Sequence, residues 1–232
     1  MMRWNNVAIV GASGGIGSAL ADLLECKGAR VDRLGRKEDG ERYLDLVDEA
    51  SIASAAKCLK GKEPLDLILV ATGYLHTDSE GPEKDWRHLS ADEIAHNFAI
   101  NATGPALVAK HFLPLLPDGE RGGFAALSAR VGSVSDNRLG GWYSYRASKA
   151  ALNMIIRTLS VELARKKPDA FCVALHPGTV ETNLSQPFRG NVPEGKLFTP
   201  AYSAEKLLGV LSSLGPGQSG RCFDWAGAEI AP

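Results

Sequence analysis

Two side chains in the stretch GWYSYRASKAAL could do chemistry together: Tyr145 and Lys149. Positions four apart on a helix lie one above the other on the same face, so the Lys149 ammonium can sit beside the Tyr145 phenol. A free tyrosine, with a pKa of about 10, exchanges protons poorly near neutrality, and a fixed positive charge favours its phenolate. The expected product of the pairing is a general acid/base that moves one proton to or from an oxygen. The spacing alone is a weak signal and takes its weight from the rest of the chain.

The second constellation is Gly11-Ala12-Ser13-Gly14-Gly15-Ile16-Gly17, which follows a short apolar run and opens an amphipathic segment. Backbone amides at the start of a helix, together with the helix dipole, favour a pyrophosphate. Gly11 allows the sharp turn, Gly15 lets backbone approach a phosphate closely, and Gly17 lets the helix pack on the strand. Some twenty residues on, where an acid would accept the ribose hydroxyls of NAD, the chain reads Leu34-Gly35-Arg36-Lys37. A glycine followed by basic residues suits the extra ribose phosphate of NADP. NADP(H) is therefore the expected cofactor, with NAD(H) as the second choice because Asp39 is close by.

The elements that must position these residues alternate. Strands are predicted at Asn6–Val10 and at residues 29–34, 65–71, 123–128, 170–175 and 221–225, and helices at residues 15–27, 50–59, 91–115, 143–165 and 201–214. The run LDLILVA is apolar on both faces, as a central parallel strand must be. Pro105 and Pro114 imply a bent helix within residues 91–115, and residues 182–199, with Pro187, Gly190, Pro193 and Gly195, read as a long loop over the substrate. With no repeat and no linker, the expectation is one α/β domain over residues 1–232, a doubly wound Rossmann fold whose mainly parallel sheet has seven strands.

Composition narrows the class of function. Of the 232 residues 44% are hydrophobic and 23% charged, and the net charge is −1 without a basic stripe, which argues against nucleic-acid binding. No apolar run reaches the length of a membrane span, and the chain enters its first strand too early for a cleavable signal. The four cysteines and five histidines lack metal-ligand spacing, so no metal site is expected and a reducing, cytoplasmic compartment is. His76, just past a strand end, is the one histidine placed to touch a substrate.

With the glycine loop and YSYRASK in register, the chain resembles the short-chain dehydrogenase/reductase family over essentially its whole length, and within it a branch of carbonyl reductases and C-factor-type proteins. The resemblance implies hydride transfer between NADP(H) and a small carbonyl or alcohol compound. Tyr145 would handle the oxygen-bound proton, Lys149 would lower the Tyr145 pKa and hold the nicotinamide ribose, and Asn101 in INATGP would help seat a water. It implies cofactor contacts from Ser13, Gly14 and Ile16 in the loop, and from Asp45 and Leu46 after a third strand, near adenine. Further contacts would come from Ala71, Thr72 and Gly73, where the family commonly has Asn-Ala-Gly, and from Pro177, Gly178, Val180 and Thr182 at the nicotinamide end.

Where the family carries a serine pair, this chain reads Ser128-Ala129. Ser133, twelve residues before Tyr145, is the expected source of the missing hydroxyl, with Ser128 as the alternative. The substrate would lie among residues 74–77, 133–142 and 182–199. The lost serine also motivates a second reading, a dinucleotide-binding signalling or sensor protein with weak or no catalysis. A nucleotide-sugar epimerase would need a larger C-terminal region. A dimer or tetramer built on the long helices is compatible with the sequence.

Overall fold

A computed structural model describes residues 4–76 and 81–232. Thr77, the last residue of the first expected pocket segment, lies outside the described residues. The sheet begins with β1 (Asn6–Val10), a fully apolar strand after its first residue, followed by α1 (Gly15–Cys26) and β2 (Arg30–Leu34). Then come α2 (Glu49–Leu59), β3 (Leu67–Val70), α3 (Ala91–Phe98), α4 (Gly104–Phe112) and β4 (Gly123–Leu127). The second half holds α5 (Tyr143–Lys166), β5 (Phe171–His176), β6 (Thr179–Val180), β7 (Leu197–Phe198), α6 (Pro200–Ser213) and β8 (Cys222–Asp224).

Six strands form one parallel sheet in the order β2-β1-β3-β4-β5-β8. Val10 stands in register with Leu34 on one side and Val70 on the other. Strand order reverses at this point, opening a crevice beyond the carboxyl ends of β1 and β3, where ligands of such sheets bind. One face of the sheet is covered by α2, α4 and α5, with Phe112, Phe124, Leu152 and Ile156 in its core. The other is covered by α1 and α6, with Leu20, Leu24, Leu207 and Leu211. Because both faces are buried, the two central strands, β3 and β4, carry no polar side chain.

The sheet has six strands, not seven. Between β2 and α2, where the reading of Asp45 as following a third strand required one, the run Lys37-Glu38-Asp39-Gly40-Glu41-Arg42 is almost wholly charged. It forms a single 3-10 turn at Gly40–Arg42, and among the described residues the ladder pairing of this segment is an isolated bridge between its flanking residues Gly35 and Tyr43. The remaining strands, β6 and β7, make a separate two-stranded ladder that pins together the two ends of the 182–199 loop. That loop is more regular than its composition suggests, with a 3-10 stretch at Asn183–Asn191.

The bend in the helix over residues 91–115 has an identifiable cause. Between α3 and α4, residues Ala99–Thr103 form a π turn in which the Gly104 N–H bonds the Ala99 carbonyl. Pro105 cannot donate to the carbonyl of Asn101, four residues back, so the turn opens there. Among the described residues no helix is long and apolar enough to cross a membrane, and no three metal-ligating side chains gather.

Candidate active site

The glycine loop is built so that side chains would not fit. Gly11 has φ +85°, and a Cβ there would lie 2.6 Å from Thr72 Cγ2 and 3.2 Å from the Ala71 carbonyl carbon. A Cβ on Gly15 would lie 2.8 Å from Thr182 Cγ2, and one on Gly17 would collide with the Gly11 carbonyl oxygen. The loop, the end of β3 and Thr182 thus meet over the first turn of α1. Gly14 caps that helix without any side-chain hydrogen bond, and Ser13 and Gly15 are exposed, leaving the amides of the first turn open to an anion. Thr72 Oγ1 is buried without a hydrogen-bond partner among the described residues. A cradle that a Cβ would fill, an uncapped helix start and an orphaned hydroxyl together fit a dinucleotide phosphate.

The other cofactor candidates surround this cradle. Gly35 lies against Gly11, with a Cβ on it 3.9 Å from the Gly11 Cα, so exposed Arg36 begins at the rim of the loop. Asp45 is fixed at the start of α2, its N–H bonded to Ser51 Oγ at 2.9 Å, while Leu46 packs on Gly104 beside the π turn. Gly178 has φ +80° and passes under Phe198 and Trp225, which leaves no room for a side chain. Val180 is buried in β6, and the Pro177 carbonyl accepts from Ser203 Oγ at 2.9 Å.

Tyr145 and Lys149 sit on the inner face of α5, 8% and 2% exposed. Lys149 Nζ lies 5.7 Å from the centre of the Tyr145 ring and donates to the Leu127 carbonyl at 2.8 Å, which anchors it to the end of β4. Gly73 joins them to the rest of the site: a Cβ there would stand 3.9 Å from Asn101 Oδ1 and 4.0 Å from Lys149 Nζ. The structure therefore brings Gly73, Asn101, Tyr145 and Lys149 together, with Thr72 one residue from the phosphate cradle.

The electrostatics differ from the expectation that the ammonium lowers the phenol. Burial dominates both groups: it pushes the Tyr145 phenol above its ordinary range and holds the Lys149 ammonium down to about 7, with a smaller opposing effect from Cys222. The phenol is a proton holder, and the amine can take up or release a proton near neutrality.

Both serines expected to offer a hydroxyl beside the phenol are hydrogen-bonded to other groups. Ser128 Oγ donates to Asn153 Oδ1 at 2.7 Å, one turn beyond Lys149 on α5. Ser133 Oγ bonds the Pro232 carbonyl at 3.3 Å and accepts the Asp136 N–H at 3.1 Å. The residue of this segment that packs on Tyr145 is Ala129, in a cluster with Leu75, Val131, Trp142 and Leu184.

Several members of the site escaped the sequence reading. Trp142, the residue before α5, is held at φ +54°, and its ring meets Tyr145 edge-on at 6.4 Å. The sequence signal was Gly140-Gly141, both also left-handed at +64° and +66°. Glu83 is buried, accepts the Trp142 N–H through its carbonyl at 2.6 Å and the Ser144 hydroxyl through its carboxylate, and so fastens the first turn of α5. No local pattern marks Glu83, because its partners lie about sixty residues away.

A nucleotide cradle at the switch point of a doubly wound sheet, facing a buried Tyr-Lys pair, defines an oxidoreductase of Rossmann type. The chain belongs to the short chain dehydrogenase family, whose profile matches residues 5–192. It is 32% identical over 227 residues to a 1-hydroxy-2-glutathionyl-2-methyl-3-butene dehydrogenase of Rhodococcus sp. (strain AD45), covering 94% of this chain and 95% of that one. It is 40% identical over 139 residues to the C-signal of Myxococcus xanthus, covering 60% and 78%. Among solved structures it is similar to an NADPH-bound carbonyl reductase from chicken fatty liver, with 27% identity, a TM-score of 0.80 and full coverage of both chains.

Proposed function

We propose that this protein transfers hydride between NADP(H) and a small carbonyl or alcohol compound, with Tyr145 as the general acid/base for the substrate oxygen. The observation that carries this reading is the meeting of buried Tyr145 and Lys149 with Gly73 and Asn101 at the mouth of the crevice, beside the glycine cradle. When bound, the dinucleotide supplies or accepts the hydride. The chain's own residues then have separate tasks. Gly11 to Gly17 and the first turn of α1 hold the diphosphate, and Thr182, against Gly15, closes over it. Arg36, at the rim beside Gly35, favours the additional ribose phosphate of NADP, and the NADPH-bound chicken carbonyl reductase supports the same choice.

Tyr145 Oη gives its proton to the developing alkoxide during reduction and takes one back during oxidation. Lys149, whose amine exchanges protons near neutrality, restores the phenol and is itself fixed by the Leu127 carbonyl. The reading takes residues 1–232 as one cytoplasmic catalytic domain, acting alone or as a dimer or tetramer. Tyr145→Phe tests it: turnover of any confirmed carbonyl substrate falls by about 100-fold or more while NADPH affinity stays within a factor of two or so. Full activity in that variant would refute the role of Tyr145.

A second reading, a dinucleotide-binding sensor without turnover, draws on Ala129 and on the likeness to the C-signal. Tight NADPH binding with no oxidation across a broad carbonyl screen would select it.

A further inference from the structure

We infer, resting on the hydride-transfer reading above, that Glu83 is a positioning residue for proton transfer: through the Ser144 hydroxyl it sets where the Tyr145 phenol stands. Its partner lies 61 positions away in sequence.

Tyr145 is the third residue of α5, so the place of its oxygen depends on how that helix begins. The helix sequence does little to secure its own start. The first turn carries no acidic residue, and the indole at the cap position has a donor but no acceptor for the open amides. The Tyr145 ring packs among Leu75, Ala129, Val131, Trp142 and Leu184, and apolar contacts of that kind are non-directional. Direction has to come from polar groups outside the helix.

Glu83 supplies it at two points. Its carbonyl oxygen accepts the Trp142 N–H at 2.6 Å, and its Oε1 accepts the Ser144 hydroxyl. Glu83 is 6% exposed and Ser144 1%, so water is a poor substitute for either partner. The same segment shapes the turn into α5. Gly140, Gly141 and Trp142 are left-handed in succession, and a Cβ on Gly141 would stand 3.2 Å from the Lys84 carbonyl oxygen and 3.5 Å from that of Glu83. A tryptophan holds φ +54° where its surroundings enforce it, and the bond to Glu83 is one such constraint.

The chain that carries Glu83 is the one that leaves β3, and nearer the strand its Gly73 lies against Asn101 and Lys149. One stretch of backbone therefore braces α5 on both sides of Tyr145, at Trp142 and Ser144 before it and at Lys149 one turn on. A misplacement of about 1 Å in a reacting group costs about 100-fold in rate. Removing the carboxylate, which leaves the Glu83 carbonyl in place, should thus act on the chemical step and spare cofactor binding.

The test follows NADPH oxidation with nitrobenzaldehyde, hexanal and cyclohexanone in wild type, Glu83→Ala, Glu83→Gln, Ser144→Ala and the double alanine variant. Glu83→Ala should lower kcat about 10- to 100-fold on each compound that wild type reduces, with NADPH affinity within about twofold. Glu83→Gln keeps an acceptor for the Ser144 hydroxyl and should restore kcat to within about threefold of wild type. Ser144→Ala should lose about 10-fold, and the double variant should be no slower than Glu83→Ala alone, because the two groups act through one bond. Unchanged kcat in Glu83→Ala with a lowered melting temperature would overturn the inference and leave Glu83 a stabilising residue alone. A loss that Gln does not restore, or losses that multiply in the double variant, would overturn it too, with hydride transfer left standing. Should Glu83→Ala lose NADPH binding, the decision passes to Ser144→Ala, where full kcat would overturn the inference. No oxidation of NADPH by wild type with any of the three compounds would overturn the hydride-transfer reading and the role of Glu83 with it.

Discussion

Asn101 holds the backbone of Tyr74 at two points: its Oδ1 accepts the Tyr74 N–H at 2.9 Å, and its Nδ2 donates to the Tyr74 carbonyl at 2.7 Å. The same amide nitrogen reaches Ser148 Oγ at 3.1 Å and Asn97 Oδ1 at 3.2 Å. One side chain in a π turn therefore ties the exit of β3 to the catalytic helix. Asn101→Ala deletes these bonds and leaves buried backbone groups unpaired, at about 1–3 kcal/mol for each group left without a partner. Urea unfolding should show a loss of at least about 2 kcal/mol. A loss below about 0.5 kcal/mol would mean that the clamp contributes little.

Lys149 gives the protein a pH-dependent stability. Its pKa is about 7 in the fold against 10.5 for the free side chain. Between those values the unfolded chain binds more protons than the native one, so stability rises with pH across that window, and the penalty for burying the charged amine is fully present below about pH 7. Cys172 and Cys222, pushed up to about 11 and 12 by burial, act in the opposite direction only above the ordinary thiol range. Thermal melts between about pH 6.5 and 8.5 should show wild type gaining on Lys149→Met as pH rises. Parallel curves would contradict this.

Two glycines should respond in opposite ways to the same substitution. A Cβ on Gly17 collides with the Gly11 carbonyl oxygen in the phosphate cradle, whereas Gly209, inside α6, has nothing within 4 Å. Gly17→Ala should lower both the melting temperature and NADPH affinity, the latter by about 10-fold or more. Gly209→Ala should stabilise by about 0.5–1 kcal/mol. Equal effects from the two changes would show that the cradle has slack.

Cofactor choice turns on Arg36. Fluorescence titration should find NADPH bound more tightly than NADH by wild type, with Arg36→Ala weakening NADPH about 10-fold and NADH hardly at all. A ratio that stays fixed in the variant would place the selectivity on other residues.

What was legible in the sequence was what local geometry dictates. Gly11, Gly15 and Gly17 could be read because each answers a backbone demand within a few residues, and Tyr145 with Lys149 because a helix fixes the relation between positions four apart. Pro105 announced the bend that places Asn101. What the sequence left hidden lies where partners are remote. Ser133 could not be seen to bond Pro232, 99 residues away, and a charged run such as Lys37 to Arg42 gives no hint of how little of it reaches a sheet edge. The balance between charge and burial at Tyr145 depends on how the strand ends and Leu184 close around it, and that is tertiary information.

The missing outer strand has its own consequence. With β1 as its one ladder partner among the described residues, β2 is one of the sheet's two margins, β8 being the other, and bare backbone groups at such an edge can recruit another chain into a shared ladder and, with repetition, into fibrils. The β2 margin is five residues long and carries an Arg30–Asp32 ion pair at 3.4 Å, with Arg33 turned back to Asp22 and Glu25 on α1 at 2.6 and 2.7 Å. A stranger strand laid along it would have to find room among those charges, so shortness and charge protect against aggregation where a seventh strand would otherwise have covered the edge.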